Sequence, residues 1–124
     1  MRPIQSTTGP TPFGHYEQAI QHGDTIYVST QLGLDPKRQN APPGSAGDQA
    51  RQALVNVEEI LRGADQDRTA IIKVMIFLTD IADWEDVDAV YRSWFGPHRP
   101  ARGVVAVADL HKGCSVAIDA IAGL

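Results

Sequence analysis

The eight residues Ile71–Leu78 are apolar apart from Lys73, and four of them are β-branched. A run this short and this branched reads as a buried central strand, because a helix of that length would be marginal and its side chains crowded at χ1. Two later runs share the character, Arg102–Val107 and Ser115–Ala122. Thr25–Thr30 is a further strand, β-branched and aromatic after the turn His22-Gly23-Asp24, and Tyr16–Ile20 is a candidate hairpin partner for it. Strand segments satisfy their backbone groups only beside one another, so the chain is committed to a sheet.

Two helical patterns interrupt the strands. Ala50, Ala53, Leu54, Val57, Ile60 and Leu61 recur at helical spacing, with Ser45 or Asp48 available to cap the start and Gly63 to end it. Val87, Val90, Tyr91, Trp94 and Phe95 form a second stripe, with Asp83 as its expected N-cap and Gly96-Pro97 as its stop. Ser6–Gly14 and Asp35–Gly47 read as loops, rich in proline and glycine. The expected order is β-β-α-β-α-β-β, with room for a short extra strand at the N-terminus. That is an α+β domain spanning 1–124, its helices packed on one face of a mixed sheet. The strands carry more apolar surface than two helices can cover, so the uncovered sheet face predicts a closed homo-oligomer.

Charge and composition narrow the function. Net charge is −4 across 124 residues, which does not favour a nucleic-acid surface. The single cysteine, Cys114, excludes an intrachain disulfide and is expected to be structural. Neither an apolar leader segment nor a membrane span is visible, which makes a cytoplasmic location the expectation. His15, His22, His98 and His111 are scattered and form no pair at metal-ligand spacing, so no metal is expected. There is no phosphate-binding glycine loop, no Gly-x-Ser-x-Gly elbow and no cofactor signature.

The chemistry that remains sits on the last two strands, where Arg102 opens one apolar run and Asp119 interrupts the other. Charges in such runs are paired or used. Two outcomes stay open at this point. Arg102 and Asp119 pair with each other across neighbouring strands, or they line a pocket in which the guanidinium grips an anion and the carboxylate directs a water. Tyr16 and the Ser29-Thr30 hydroxyls are the other candidate groups.

Several segments together resemble the Rid/YjgF family, the reactive intermediate deaminases that also carry the description endoribonuclease L-PSP. They are Gly14-His15-Tyr16-x-Gln18-Ala19, Ile26-Tyr27-Val28-Ser29-Thr30-Gln31-Leu32, Gln52-Ala53-Leu54-x-Asn56-Val57 and Val87-Asp88-Ala89-Val90-Tyr91-x-x-Trp94-Phe95. Arg99-Pro100-Ala101-Arg102 and Val116–Ala122 complete the set, in order along nearly the whole chain. The resemblance implies a chorismate mutase-like fold and a homotrimer with active sites between subunits. It implies hydrolysis of reactive 2-imino acids, such as those from 2-aminoacrylate, to 2-keto acids and ammonia without a cofactor. Arg102 inherits the role of carboxylate clamp and Asp119 that of the group that positions or activates water. Val104 would contribute its backbone at the imine nitrogen or the water, and Tyr16, Ser29 and Thr30 line the cleft. The pattern is not reproduced throughout: Asp119 stands where glutamate is usual, Thr30 where glycine is common, Val104 where cysteine is, and Asp88 where asparagine is. Two other readings accompany the first. One is a pathway-specific deaminase for a larger unsaturated amino acid such as 2-aminomuconate. The other is a non-catalytic ligand-binding or holdase trimer that keeps the clamp.

Overall fold

The computed structural model describes residues 1–40, 42 and 44–124, so Ala41 and Pro43 of the expected Asp35–Gly47 loop lie outside the described residues. Among the described residues six strands form one sheet: β1 (Arg2–Ile4), β2 (Ala19–His22), β3 (Thr25–Leu32), β4 (Ile71–Leu78), β5 (Ala101–Ala106) and β6 (Val116–Gly123), in the spatial order β1-β2-β3-β6-β4-β5. Strands β4 and β5 are parallel and every other pairing is antiparallel. The parallel pair follows from the crossover between them, which holds the helix α2 (Trp84–Phe95). The other helix, α1 (Ala46–Arg62), packs on β3 and β6 and against α2.

The short extra N-terminal strand exists as β1, and the hairpin partner of β3 starts three residues later than expected, at Ala19. Strand β4 occupies the expected span and an interior place in the sheet. At the start of α1, Ser45 accepts from the Asp48 backbone while Asp48 reaches back to the Ser45 N–H, a reciprocal capping box. Asp83 sits at the start of α2 without making a side-chain cap. Asp80 instead caps the short turn before it, and Asp86 of the first turn accepts from the Gly47 backbone, joining the two helix starts.

The core lies between the helices and one sheet face. Leu54, Val57, Ile60 and Leu61 of α1 meet Ile26, Ile76, Leu78 and Ile118, all at most 1% exposed. Each such side chain contributes roughly 1.5–3 kcal/mol of burial. The apolar strand residues are divided by the pleat. Ile26, Val28, Val74 and Ile76 are covered by the helices. Tyr27, Ile72 and Val105 stay 48%, 55% and 41% exposed, as apolar strand surface the helices do not reach.

One buried charge pins the helical layer. The Glu58 carboxylate accepts from the backbone N–H of Arg68 at 2.8 Å and from its Nε and Nη2 at 2.9 and 2.8 Å. Arg68 Nη1 donates to the Trp94 carbonyl, and the guanidinium lies 4.0 Å over the Trp94 ring. Burial alone would raise the Glu58 pKa, but the Arg68 hydrogen bonds and the charges of Arg68 and Arg62 outweigh it and hold it low. A carboxyl lowered on folding stabilises the protein above its unfolded pKa of about 4.3 and loses that contribution as pH falls through the folded value. Glu58→Gln is therefore expected to cost about 2 kcal/mol near neutrality. Urea midpoints should show the gap closing below about pH 4; a gap that stays constant to pH 3 would refute this linkage.

Candidate functional site

Arg102 stands at the second position of β5, an edge strand, beside Val74 of β4. Val74 faces the helices and is 1% exposed, so its register partner Arg102 points to the helical side as well. There its Nη1 donates to Asp88 Oδ1 of α2 at 2.7 Å, with the two side chains 21% and 17% exposed. The guanidinium lies 4.7 Å over the Tyr91 ring and 5.4 Å from that of Trp84. The second Asp88 oxygen accepts from Arg92 Nη2 at 3.1 Å. Asp88, Tyr91, Arg92, Arg99 and Arg102 line a cleft of about 580 Å³ that also takes in His98. Three arginines and one carboxylate give this cleft an excess of positive charge. Tyr91 is 8% exposed, its hydroxyl has no hydrogen-bond partner among the described residues, and burial pushes its pKa up to about 12.

Val104 follows Arg102 on the same side of β5, half-buried against the core and lining a small recess beneath Arg102 together with Trp84 and Asp88.

Asp119 lies elsewhere. It is opposite Met75 in the β4–β6 ladder, one residue out of phase with Val74, so it belongs to the face the helices leave open. Two expectations are corrected here. The strands of Arg102 and Asp119 are not neighbours, because β4 runs between them. The two groups are also on opposite faces of the sheet, so within one chain they neither pair nor line one pocket. The side-chain period of two decides this, since Val74 and Met75 are adjacent in β4 and must point apart.

On the open face Asp119 Oδ2 accepts from the Thr30 hydroxyl at 3.3 Å. Burial raises the Asp119 pKa, only partly countered by the Thr30 hydrogen bond and the Lys73 charge. Thr30 and Tyr16 line a second, more apolar cavity of about 300 Å³ with Pro12, Phe13, Leu32 and His111. The Tyr16 hydroxyl accepts from the Phe13 backbone at 3.1 Å, which folds the loop back on itself. The Ser29 hydroxyl donates to the Glu17 carbonyl at 2.6 Å, so in this chain it ties that loop to β3. Gln18 serves the same end, accepting from the Ser6 N–H and donating to the Pro10 carbonyl. Cys114 is 2% exposed and its thiol pKa is raised by burial, the environment of an unreactive sulfur.

The sequence offered Tyr91 only as part of an apolar stripe and Asp88 only as a departure from the resembled pattern, neither as a site residue. Both were visible as α2 residues three positions apart, which places them on one helix face. What was invisible was that this face closes over the start of β5. Among the described residues no group of three His, Cys, Asp or Glu side chains is arranged to hold a metal ion, and no helix is long and apolar enough to cross a membrane.

Comparison with known proteins gives one consistent answer. The family profile described as endoribonuclease L-PSP matches residues 6–124. A bovine (Bos taurus) protein named 2-iminobutanoate/2-iminopropanoate deaminase is 42% identical over 119 residues, covering 96% of this chain and 87% of the bovine one. The crystal structure of TdcF from E. coli with bound serine superposes with a TM-score of 0.93 at 32% identity, covering 100% of this chain and 99% of TdcF. That of RidA from the Antarctic bacterium Psychrobacter sp. PAMC 21119 gives 0.94 at 33% identity and covers 100% of both chains.

Proposed function

This chain belongs to the endoribonuclease L-PSP, or Rid/YjgF, family, and from that premise we propose that it is an imine deaminase acting on small 2-imino acids. The products are the 2-keto acid and ammonia. The observation that carries this reading is the Arg102 guanidinium, lying over the Tyr91 ring in a cleft of positive charge with Asp88 as its one hydrogen-bond partner among the described residues. A guanidinium so held matches a planar carboxylate through two parallel N–H groups.

The reaction asks little of the protein beyond that grip. Water adds to the C=N carbon; Asp119 takes a proton from it as the C–O bond forms and passes that proton to the imine nitrogen, giving the carbinolamine. Asp119 then moves the hydroxyl proton to the same nitrogen as the C=O bond forms and the C–N bond breaks, releasing ammonia and restoring the carboxylate. The net change is one imine and one water to one keto acid and one ammonia. Holding the imine carbon against a placed water beside one general base supplies the acceleration, and no cofactor is needed. The backbone at Val104 faces the imine nitrogen or the water, and Tyr16, Ser29 and Thr30 form the wall of the cleft.

Arg102 and Asp119 can serve one substrate only if the Arg102 side of one subunit meets the Asp119 side of another. A homotrimer with clefts between subunits meets that requirement and covers Tyr27, Ile72 and Val105. The relative named for 2-iminobutanoate and 2-iminopropanoate supports small side chains.

Imines generated from several amino acids by an oxidase, and trapped as semicarbazones, test the reading. Faster loss of imine with the protein is expected, and no acceleration with any substrate refutes it. Asp119→Asn is expected to lower kcat about 100-fold with little change in KM. It should also abolish the acid limb of the pH profile, which for a base held above the ordinary aspartate range lies higher than about pH 4. A change in KM alone would refute its role as base.

A further inference from the structure

Arg102 is already in contact with a carboxylate, and that carboxylate belongs to the protein. Asp88 takes Nη1 alone, at 2.7 Å. Among the described residues nothing accepts from Nε or Nη2. The same chain shows what that unused edge can do. Arg68 employs its own Nε and Nη2, at 2.9 and 2.8 Å, to grip both oxygens of Glu58. Arg102 thus lines a cleft of about 580 Å³ while the edge that elsewhere in this chain closes on a carboxylate has no acceptor among the described residues.

We propose that Asp88 is a positioning and specificity-determining residue of this site, fixing the Arg102 fork through Nη1 and offsetting part of its charge. The inference rests on the reading of Arg102 as the substrate's carboxylate clamp. Anchoring follows from geometry. Asp88 holds one arm from the α2 side while the Tyr91 ring lies against the guanidinium plane at 4.7 Å, so the remaining edge has one orientation. The offset follows from charge. A carboxylate on Nη1 lowers the potential felt by an incoming anion, and Arg92, 80% exposed at the rim, restores little of it because solvent screens it. The site therefore takes a single carboxylate and holds it loosely enough to release the keto acid. Asp88 does not touch the reacting carbon and is not a catalytic residue.

Two substitutions separate the two roles. Asp88→Asn keeps an oxygen to accept from Nη1 and removes the charge. Asp88→Ala removes both. The readout is the Kd of 2-oxobutanoate by calorimetry and the split between KM and kcat, with melting curves confirming that each variant is folded. Asp88→Asn is expected to bind about fivefold tighter than the unaltered protein, with KM lowered and kcat little changed. Asp88→Ala is expected to bind about tenfold more weakly than Asp88→Asn, because the fork is then free to rotate. Weaker binding by the Asn variant than by the unaltered protein overturns the proposal, as do equal affinities for the two variants. Arg102→Ala distinguishes the premise from the inference. If it loses 2-oxobutanoate while both Asp88 variants bind like the unaltered protein, the clamp stands and Asp88 has no such role. If Arg102→Ala binds normally, the clamp and the Asp88 proposal fall together.

Discussion

Arg102→Ala is expected to lower kcat/KM for 2-imino acids about 100-fold, equivalent to ~2.7 kcal/mol of transition-state stabilisation. The size follows from what is removed. The proposed clamp loses two charge-assisted hydrogen bonds to the substrate carboxylate, from a guanidinium that lies 4.7 Å from the Tyr91 ring and 5.4 Å from that of Trp84. The fold should survive, since Asp88 is left with Arg92 as a partner, the Arg102 side chain is 21% exposed, and the β4–β5 ladder uses only the backbone at position 102. Arg102→Lys separates charge from geometry. It keeps the cation and loses the planar fork, so its activity should fall between those of Ala and Arg. Semicarbazone trapping across the three proteins measures this. Equal activity in Arg102→Ala and the unaltered protein would remove the carboxylate clamp, and with it the function proposed above.

The largest effect on stability is expected at a residue with no side chain. Gly33 follows β3 where the chain passes against the first turns of α1. A Cβ there would overlap the Gln49 carbonyl oxygen and approach the Gln49 carbonyl carbon and Cα within 2.6 Å. These are backbone atoms of a helix, so no rotamer change relieves the contact. Gln49 cannot simply move, because it is buried, its side-chain nitrogen donates to the Gly44 carbonyl, and its side-chain oxygen accepts from the Ser115 N–H ahead of β6. Gly33→Ala is expected to cost about 3 kcal/mol or more, read as a drop in the urea midpoint with an unchanged slope. Gly23→Ala is the matched control. Its hairpin glycine has φ +60 and nothing within 4 Å of the added methyl, so only backbone strain of about 1 kcal/mol is expected. Equal costs at the two positions would mean that the β3–α1 approach is looser than these distances.

Much of the fold could be read from local pattern. Ile71–Leu78 is a strand over the full expected span because eight apolar, β-branched residues fit a pleated surface better than a helix. Ser45, Gly63 and Gly96 mark helix ends because capping chemistry acts within a few residues. Asp83 was less informative, since it occupies the start of α2 without a side-chain cap while Asp80 caps the short turn before it. The N-terminal strands were blurred because three or four residues carry too little periodicity to fix their ends.

The candidate site divides along the same line. Its residue types were legible, since an arginine and an aspartate stand out against apolar strands and the surrounding motifs resemble one family. Their arrangement was not. Whether Arg102 and Asp119 meet depends on strand order and on the phase of the pleat in β4, two facts that no segment contains by itself. Local pattern was enough for the main elements, their order and the conspicuous charged groups, because propensity, capping and hydrophobic period are local. That β4 separates Arg102 from Asp119, that they face opposite ways, and that Asp88 rather than Asp119 meets the guanidinium came from long-range pairing and packing. Those outcomes are set by which strands pair and by how α2 packs over β5, and pairing and packing are settled by the whole chain at once.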